Sequence, residues 1–142
     1  MPNHCHTCKK GLPLLGRALI SLIFIVAGIG KIVDFSGAVS ALKQVGVPGS
    51  EFYVVVGFLM ELVGGALILL GWHTRLGCWI LMIFLLPTTI LFHGFWNMQG
   101  ADAALQFSLF LKNLTIYGGL TLLLSYGPGK WSVDALTADR AD

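Results

Sequence analysis

Apolar residues run along this chain in four long blocks separated by short polar stretches. The first block spans Leu12 to Ile32, with Arg17 and Lys31 near its ends. The second spans Phe52 to Trp72 and has Glu61 as its one charge. The third, Leu76 to Trp96, carries no formal charge and one histidine, His93. The fourth, Ala104 to Tyr126, is interrupted by Lys112 and Asn113. A membrane helix needs roughly 20 mostly apolar residues, and each block meets that length. Runs such as Leu19 to Val26 do not alternate, so the spans are helices and not barrel strands. His73-Thr74-Arg75 alone joins the second and third blocks, which makes them an antiparallel hairpin.

The segments between the blocks complete the picture. From Asp34 to Ser50, Phe35, Ala38, Val39, Leu42 and Val45 recur at helical spacing with polar residues between them. That pattern predicts a short amphipathic helix at the membrane interface. Gly46 stops it, and Val47-Pro48-Gly49 turns the chain toward the second span. Gln99-Gly100 marks an exposed turn, and Gly127-Pro128-Gly129 ends the fourth helix. The expected fold is therefore all-α: a four-transmembrane-helix bundle at 12–126, with a short interfacial helix between spans 1 and 2. Polar tails precede and follow it at 1–11 and 127–142.

Lysine and arginine set the orientation. With the N-terminus in the cytoplasm, Lys9, Lys10, Arg17, Arg75, Lys130 and Arg140 fall on or near the inner side, against Lys31, Lys43 and Lys112 toward the outer side. Both termini are thus expected in the cytoplasm. A cleaved signal peptide is the competing reading of the N-terminus. Arg17 inside the apolar run and the lack of a small-x-small cleavage site oppose it.

Composition narrows the function classes. The chain of 142 residues is 56% apolar and 11% charged, where soluble domains carry about 25% charge. That excludes a soluble globular enzyme, a disordered tail and a basic-patch nucleic-acid binder. Membrane lipid is the expected partner, and a net charge of +2 is too weak a field to name an anionic one.

Ionisable residues inside membrane spans are functional candidates by default. Glu61 lies near the middle of the second span, and Gly57, Gly64 and Gly65 share its helical face. Small residues mark close helix packing, so Glu61 is expected to point into the bundle. Lys112 is its expected partner, on a face shared with Thr115 and Gly119; Asn113 points about 100° away. Thr89, His93 and Trp96 form one stripe on the third helix, and Pro87 is expected to kink that helix. Lys31 ends the first helix. Arg17 lies within about 40° of the same face and roughly 21 Å along the axis. Glu61, His93 and Lys112 are the catalytic candidates, with Lys31, Asn113, Trp96 and Arg17 as substrate-binding ones. The structural alternative is that a buried ion pair fixes helix register and that Arg17 and Arg75 are topology anchors.

The N-terminus reads His4-Cys5-His6-Thr7-Cys8. Thiolates of Cys5 and Cys8 with the imidazoles of His4 and His6 suit zinc, copper or iron. Lys9 stands where a c-type haem site needs histidine. Four ligands within five residues are cramped for a closed site, so a shared or transient metal is expected there. Cys78, near the inner end of the third span, is expected to be packing.

From Leu15 to Asp134 the chain resembles the DoxX family of small bacterial membrane proteins. The matching residues are Arg17 with Gly28-Ile29-Gly30-Lys31, Gly46-Val47-Pro48, Glu61-Leu62-Val63-Gly64-Gly65, Thr74-Arg75-Leu76-Gly77, His93, Gln106 through Lys112-Asn113-Leu114, and Gly127 to Ser132 with Asp134. The Cys-x-x-Cys tail lies outside this pattern. The resemblance implies a four-helix bundle in the bacterial inner membrane. It also implies ties to redox work: a subunit of a thiosulfate:quinone oxidoreductase, a partner in mycobacterial oxidative-stress complexes, quinone detoxification. Some relatives accompany metal-stress or metallopeptide systems.

Two classes of function follow. The first is a quinone-linked redox or oxidative-stress component. His93 and Glu61 handle protons there, Lys31 or Lys112 stabilises a developing quinol anion, and a protein partner supplies electrons, since the sequence shows no flavin, haem or iron–sulfur ligand set. The second is a non-enzymatic membrane partner or carrier in metal or thiol stress, motivated by the N-terminal cluster. A transporter with four helices would need a homodimer, which the small-residue faces permit.

Overall fold

A computed structural model of the chain describes the backbone from His6 to Ala138 and the side chains from Gly11 to Ala138. Six helices follow in order: α1 His6–Val33, α2 Phe35–Gln44, α3 Ser50–Leu70, α4 Thr74–Phe92, α5 Gly100–Tyr126 and α6 Val133–Ala138. Four of them are long and apolar enough to cross a membrane: Gly11–Val33, Ser50–Leu70, Thr74–Phe92 and Gly100–Tyr126. The protein is an all-α, four-span membrane bundle with a short helix between spans 1 and 2, as the hydrophobic pattern predicts.

The ends differ where hydropathy is silent. The third span stops at Phe92, not Trp96, with His93 as its C-cap. The fourth begins at Gly100, not Ala104, and places Asp102 in its first turn, where the helix dipole favours an acid. Hydropathy reports the slab of lipid that a helix crosses, while caps and dihedrals decide where it ends.

Asp34 caps α2 by accepting a hydrogen bond from the Gly37 amide at 2.9 Å. A Cβ on Gly37 would crowd that carboxylate, so a larger residue there would make the Asp34 side chain shift. Gly46, at φ 78°, closes α2 in the left-handed region that L side chains avoid. Helix α4 continues through Pro87. The carbonyls of Phe84 and Leu85 accept from the Thr88 and Thr89 hydroxyls at 2.9 and 2.6 Å.

Close approach sets the order of the helices. Gly28 of α1 faces Leu62 and the Phe58 carbonyl of α3, and Gly65 of α3 faces Ile25 and the Ser21 carbonyl of α1. Gly77 of α4 faces Leu67 and the Gly64 carbonyl of α3. Small residues thus bring α1 onto α3 and α3 onto α4. The core they enclose contains Phe24, Ile68, Cys78, Leu81, Met82, Leu85 and Leu120. Helix α5 packs mainly on α4 and meets α1 sparingly. Leu19, Leu22, Ile83 and Leu122 turn outward, as lipid-facing residues must.

The start of α1 and the segment after α5 meet at one end of the bundle, and α2 lies at the other. At the tail end the C-terminal segment seals the α3–α4 turn. The Asp134 amide donates to the Gly71 carbonyl at 2.8 Å. The Asp134 carboxylate accepts from the His73 amide at 2.8 Å, the Thr74 amide at 3.0 Å and the Thr74 hydroxyl at 2.7 Å. These amides are orphan donors of the α4 N-terminus. Burial by itself pushes the Asp134 carboxyl up. The hydrogen bonds from Thr74 and His73 together outweigh it and hold the carboxyl below its ordinary value. The cap is therefore fully present above the ordinary carboxylate pKa of about 3.9 and is lost as pH falls through the lowered one. Asp134→Ala is expected to weaken protection of the His73 and Thr74 amides by about 1 kcal/mol near neutral pH. Hydrogen exchange measures it, and acidification should narrow the difference from wild type.

Candidate functional site

A cavity of about 770 Å³ lies toward the α2 end, between α1, α3, α4 and α5 and beneath α2. Its walls are mostly apolar. Ala38, Ala41 and Leu42 of α2 and Val47 cover it, and Phe24, Phe84 and Met60 line it lower down. Seven polar side chains line it: Lys31 from α1, Tyr53 and Glu61 from α3, Thr88 from α4, His93 from the end of α4, and Lys112 and Asn113 from α5.

Lys31 and Glu61 are its centre. The Lys31 ammonium donates to both carboxylate oxygens of Glu61, at 2.8 and 2.7 Å. Glu61 is 3% exposed, whereas the Lys31 side chain keeps 30% of its surface. The ammonium also stands 5.7 Å from the centroid of the Phe84 ring, within reach of a cation–π contact. The pair forms because Gly28 lets α1 approach α3 one turn below Lys31. The glycine spacing around Glu61 turns it inward, as the sequence implies.

The expected partner of Glu61 was Lys112, and the structure corrects this: Lys31 occupies both oxygens. Helix α5 packs on α4, away from α3, and buries Asn113 and Leu120, while Lys112 and Thr115 stay exposed and Gly119 rests on Ile20 of α1. The reason is a polar contact that the face argument lacked. The Thr89 hydroxyl spends its proton on the Leu85 carbonyl, so it accepts from the Asn113 amide, at 3.0 Å. Asn113 turns inward to make that bond and Lys112 is left at the cavity rim, exposed.

His93 is half-buried, and its Nδ1 lies 2.8 Å from the Gln106 Oε1. Sequence reasoning named Gln106 only within a resembling stretch. Its signal was position: seven residues before Asn113, it shares that residue's helical face.

Two candidates stand elsewhere. Trp96 is exposed outside the cavity, its ring folded against Gly94 and 5.5 Å from the Phe95 ring. Arg17 is fully buried at the opposite end, where its Nη2 donates to the Trp131 carbonyl at 2.5 Å. Among the described residues its Nε and Nη1 have no hydrogen-bond partner. Its guanidinium packs over Gly71, where a Cβ would collide with it. Arg17 thus fastens the C-terminal segment and stands apart from Lys31. Cys78 is buried in the core. The His4, Cys5, His6 and Cys8 side chains lie outside the described residues.

The DoxX family model matches residues 12–94 of the chain. The chain is similar to the inner membrane protein YqjF of Escherichia coli, 39% identical over 123 residues that cover 87% of this chain and 89% of that protein. It is similar to the Escherichia coli inner membrane protein YphA, 32% identical over 87% of this chain and 88% of that one. The Mycobacterium tuberculosis membrane protein Rv3486 is 31% identical over 88% of this chain and 80% of its own length. No solved structure is significantly similar.

Proposed function

Since the chain belongs to the DoxX family of membrane proteins, we propose that its cavity is a quinone site and that the protein serves as a quinone-linked redox or oxidative-stress component, with a partner protein supplying electrons. One observation carries this reading: a single apolar-walled cavity gathers a carboxylate, two lysines and a histidine. Its volume of about 770 Å³ falls within the usual range for ligand sites.

The residues fit a quinone ring. Such a ring needs an apolar berth, donors for its two carbonyl oxygens, and a source of protons. The aromatic and aliphatic wall gives the berth. Lys31 commits two protons to Glu61 and keeps a third, and Lys112 brings a full ammonium to the rim. His93 lines the cavity with its Nδ1 held by Gln106, which fixes the ring as a polar contact for the ligand. A bound quinone would supply the redox chemistry, taking two electrons from the partner and two protons on its way to quinol. The chain's own part is to bind, to exclude water and to hold those protons. Six cations on the tail side against three on the other support cytoplasmic termini, and the relatives' names support the inner membrane.

Purified protein in nanodiscs is expected to bind decylubiquinone saturably. His93→Ala should weaken that binding by about tenfold, the loss of roughly one buried hydrogen bond. Folded protein without saturable binding overturns the reading. So does unaltered oxidant resistance in cells carrying Glu61→Gln and His93→Ala together. A membrane partner or carrier in metal or thiol stress is the second reading. It is carried by two thiols and two imidazoles within Cys5-x-x-Cys8 and its flanking histidines, and it asks no chemistry of the cavity.

A further inference from the structure

We infer that the cavity selects a ligand bearing negative charge on an apolar body, a carboxylate or an ionised enol on a hydrocarbon frame, and that Lys112 is the residue that selects it. This rests on the reading of the cavity as a ligand site and narrows it to a charge class.

The first ground is a count of charges facing the cavity. Helix α1 brings Lys31, α3 brings Glu61, α4 brings His93 and α5 brings Lys112. Glu61 has both oxygens on Lys31. Among the described residues, no carboxylate lies within ion-pair distance of Lys112. The other acids near this end are engaged or distant. Asp34 caps α2, and Glu51 pairs with Lys43 at 2.7 Å. Asp102 lies ten residues before Lys112 on α5, about 15 Å along the axis. With Lys31 matched by Glu61, the cavity holds one cation more than it holds anions.

The second ground is where that cation stands. Lys112 both lines the cavity and is exposed, as do Ile23 and Ile83. The cavity wall is therefore continuous with the lipid-facing surface, and an apolar ligand can reach it through the bilayer. An unpaired ammonium in so poor a dielectric is costly, and a ligand anion relieves that cost while an equally apolar neutral molecule does not. Walls of leucine, phenylalanine and methionine favour the hydrocarbon part of either.

The test pairs acids with neutral counterparts of the same shape. Wild-type protein in nanodiscs of neutral lipid is titrated with an alkyl hydroxynaphthoquinone, ionised at neutral pH, and with its uncharged methyl ether. Dodecanoate and dodecanol form a second pair, which separates a quinone-type from a fatty-acid-type ligand. At least one acid is expected to bind about tenfold or more tightly than its neutral partner, as one charge-assisted contact provides. Lys112→Met should abolish that preference by weakening the acid far more than its neutral partner, and Lys112→Arg should keep it. Equal binding of acid and neutral in both pairs overturns the charge selection while the cavity stands as a ligand site. A preference that survives Lys112→Met overturns the role of Lys112. Failure of every compound to bind folded protein overturns the cavity reading itself.

Discussion

Replacing Lys31 by methionine is expected to destabilise the bundle by about 3 kcal/mol, the lower part of the range for breaking a buried ion pair. The lower part applies because the Lys31 side chain keeps 30% of its surface while that of Glu61 keeps 4%. The substitution preserves most of the volume of the stem. What it removes is the ammonium that satisfies both oxygens of Glu61 at 2.8 and 2.7 Å. A carboxylate then stands alone among Gly57, Phe84 and Met60 with no cation to match it. Lys31→Met/Glu61→Gln should recover most of the loss, since a neutral amide there carries no uncompensated charge. Equilibrium unfolding in mixed micelles measures both. If single and double variants lose the same stability, the pair is not what stabilises this region.

Gly77→Leu is expected to cost about 3 kcal/mol, the upper end for overpacking a close contact. A Cβ at Gly77 would lie 3.0 Å from the Leu67 Cβ, 3.1 Å from the Gly64 carbonyl oxygen and 3.1 Å from the Ile68 Cγ1. A carbonyl in a helix cannot swing aside, so α4 must part from α3. Gly64 on the facing helix is one turn from Glu61, and that displacement reaches the cavity floor. Gly118→Leu is the control, because nothing lies within 4 Å of a Cβ there. It should leave unfolding unchanged. A Gly77→Leu protein as stable as the control would mean that the α3–α4 crossing is looser than its geometry.

What the sequence made legible follows from what a single helix can report. The four spans are visible because the lipid slab demands a run of apolar residues whatever the neighbours are. Helix α2 is visible because Val39 and Leu42 keep helical spacing up to Gly46. The inward aim of Glu61 is visible because glycines share its face. The identity of its partner is not, since a face says which way a residue looks and not which helix stands opposite. Lys31 and Arg17 show the same limit along the axis. They lie on nearly one face of α1, yet one meets a carboxylate on α3 and the other a backbone carbonyl 114 residues away. Asn113 defeated the face argument for α5 because its preference depends on a hydroxyl of α4 that itself had to be committed elsewhere.

The carboxylate that closes the first turn of α4 belongs to residue 134, sixty positions downstream of the threonine it holds. During synthesis the α3–α4 pair therefore forms with that turn unfinished, and its donors are left to water or lipid headgroups until residue 134 follows. The segment that shuts this hairpin follows it only after a further span, α5. Closure of the turn thus waits on chain that lies beyond the next span.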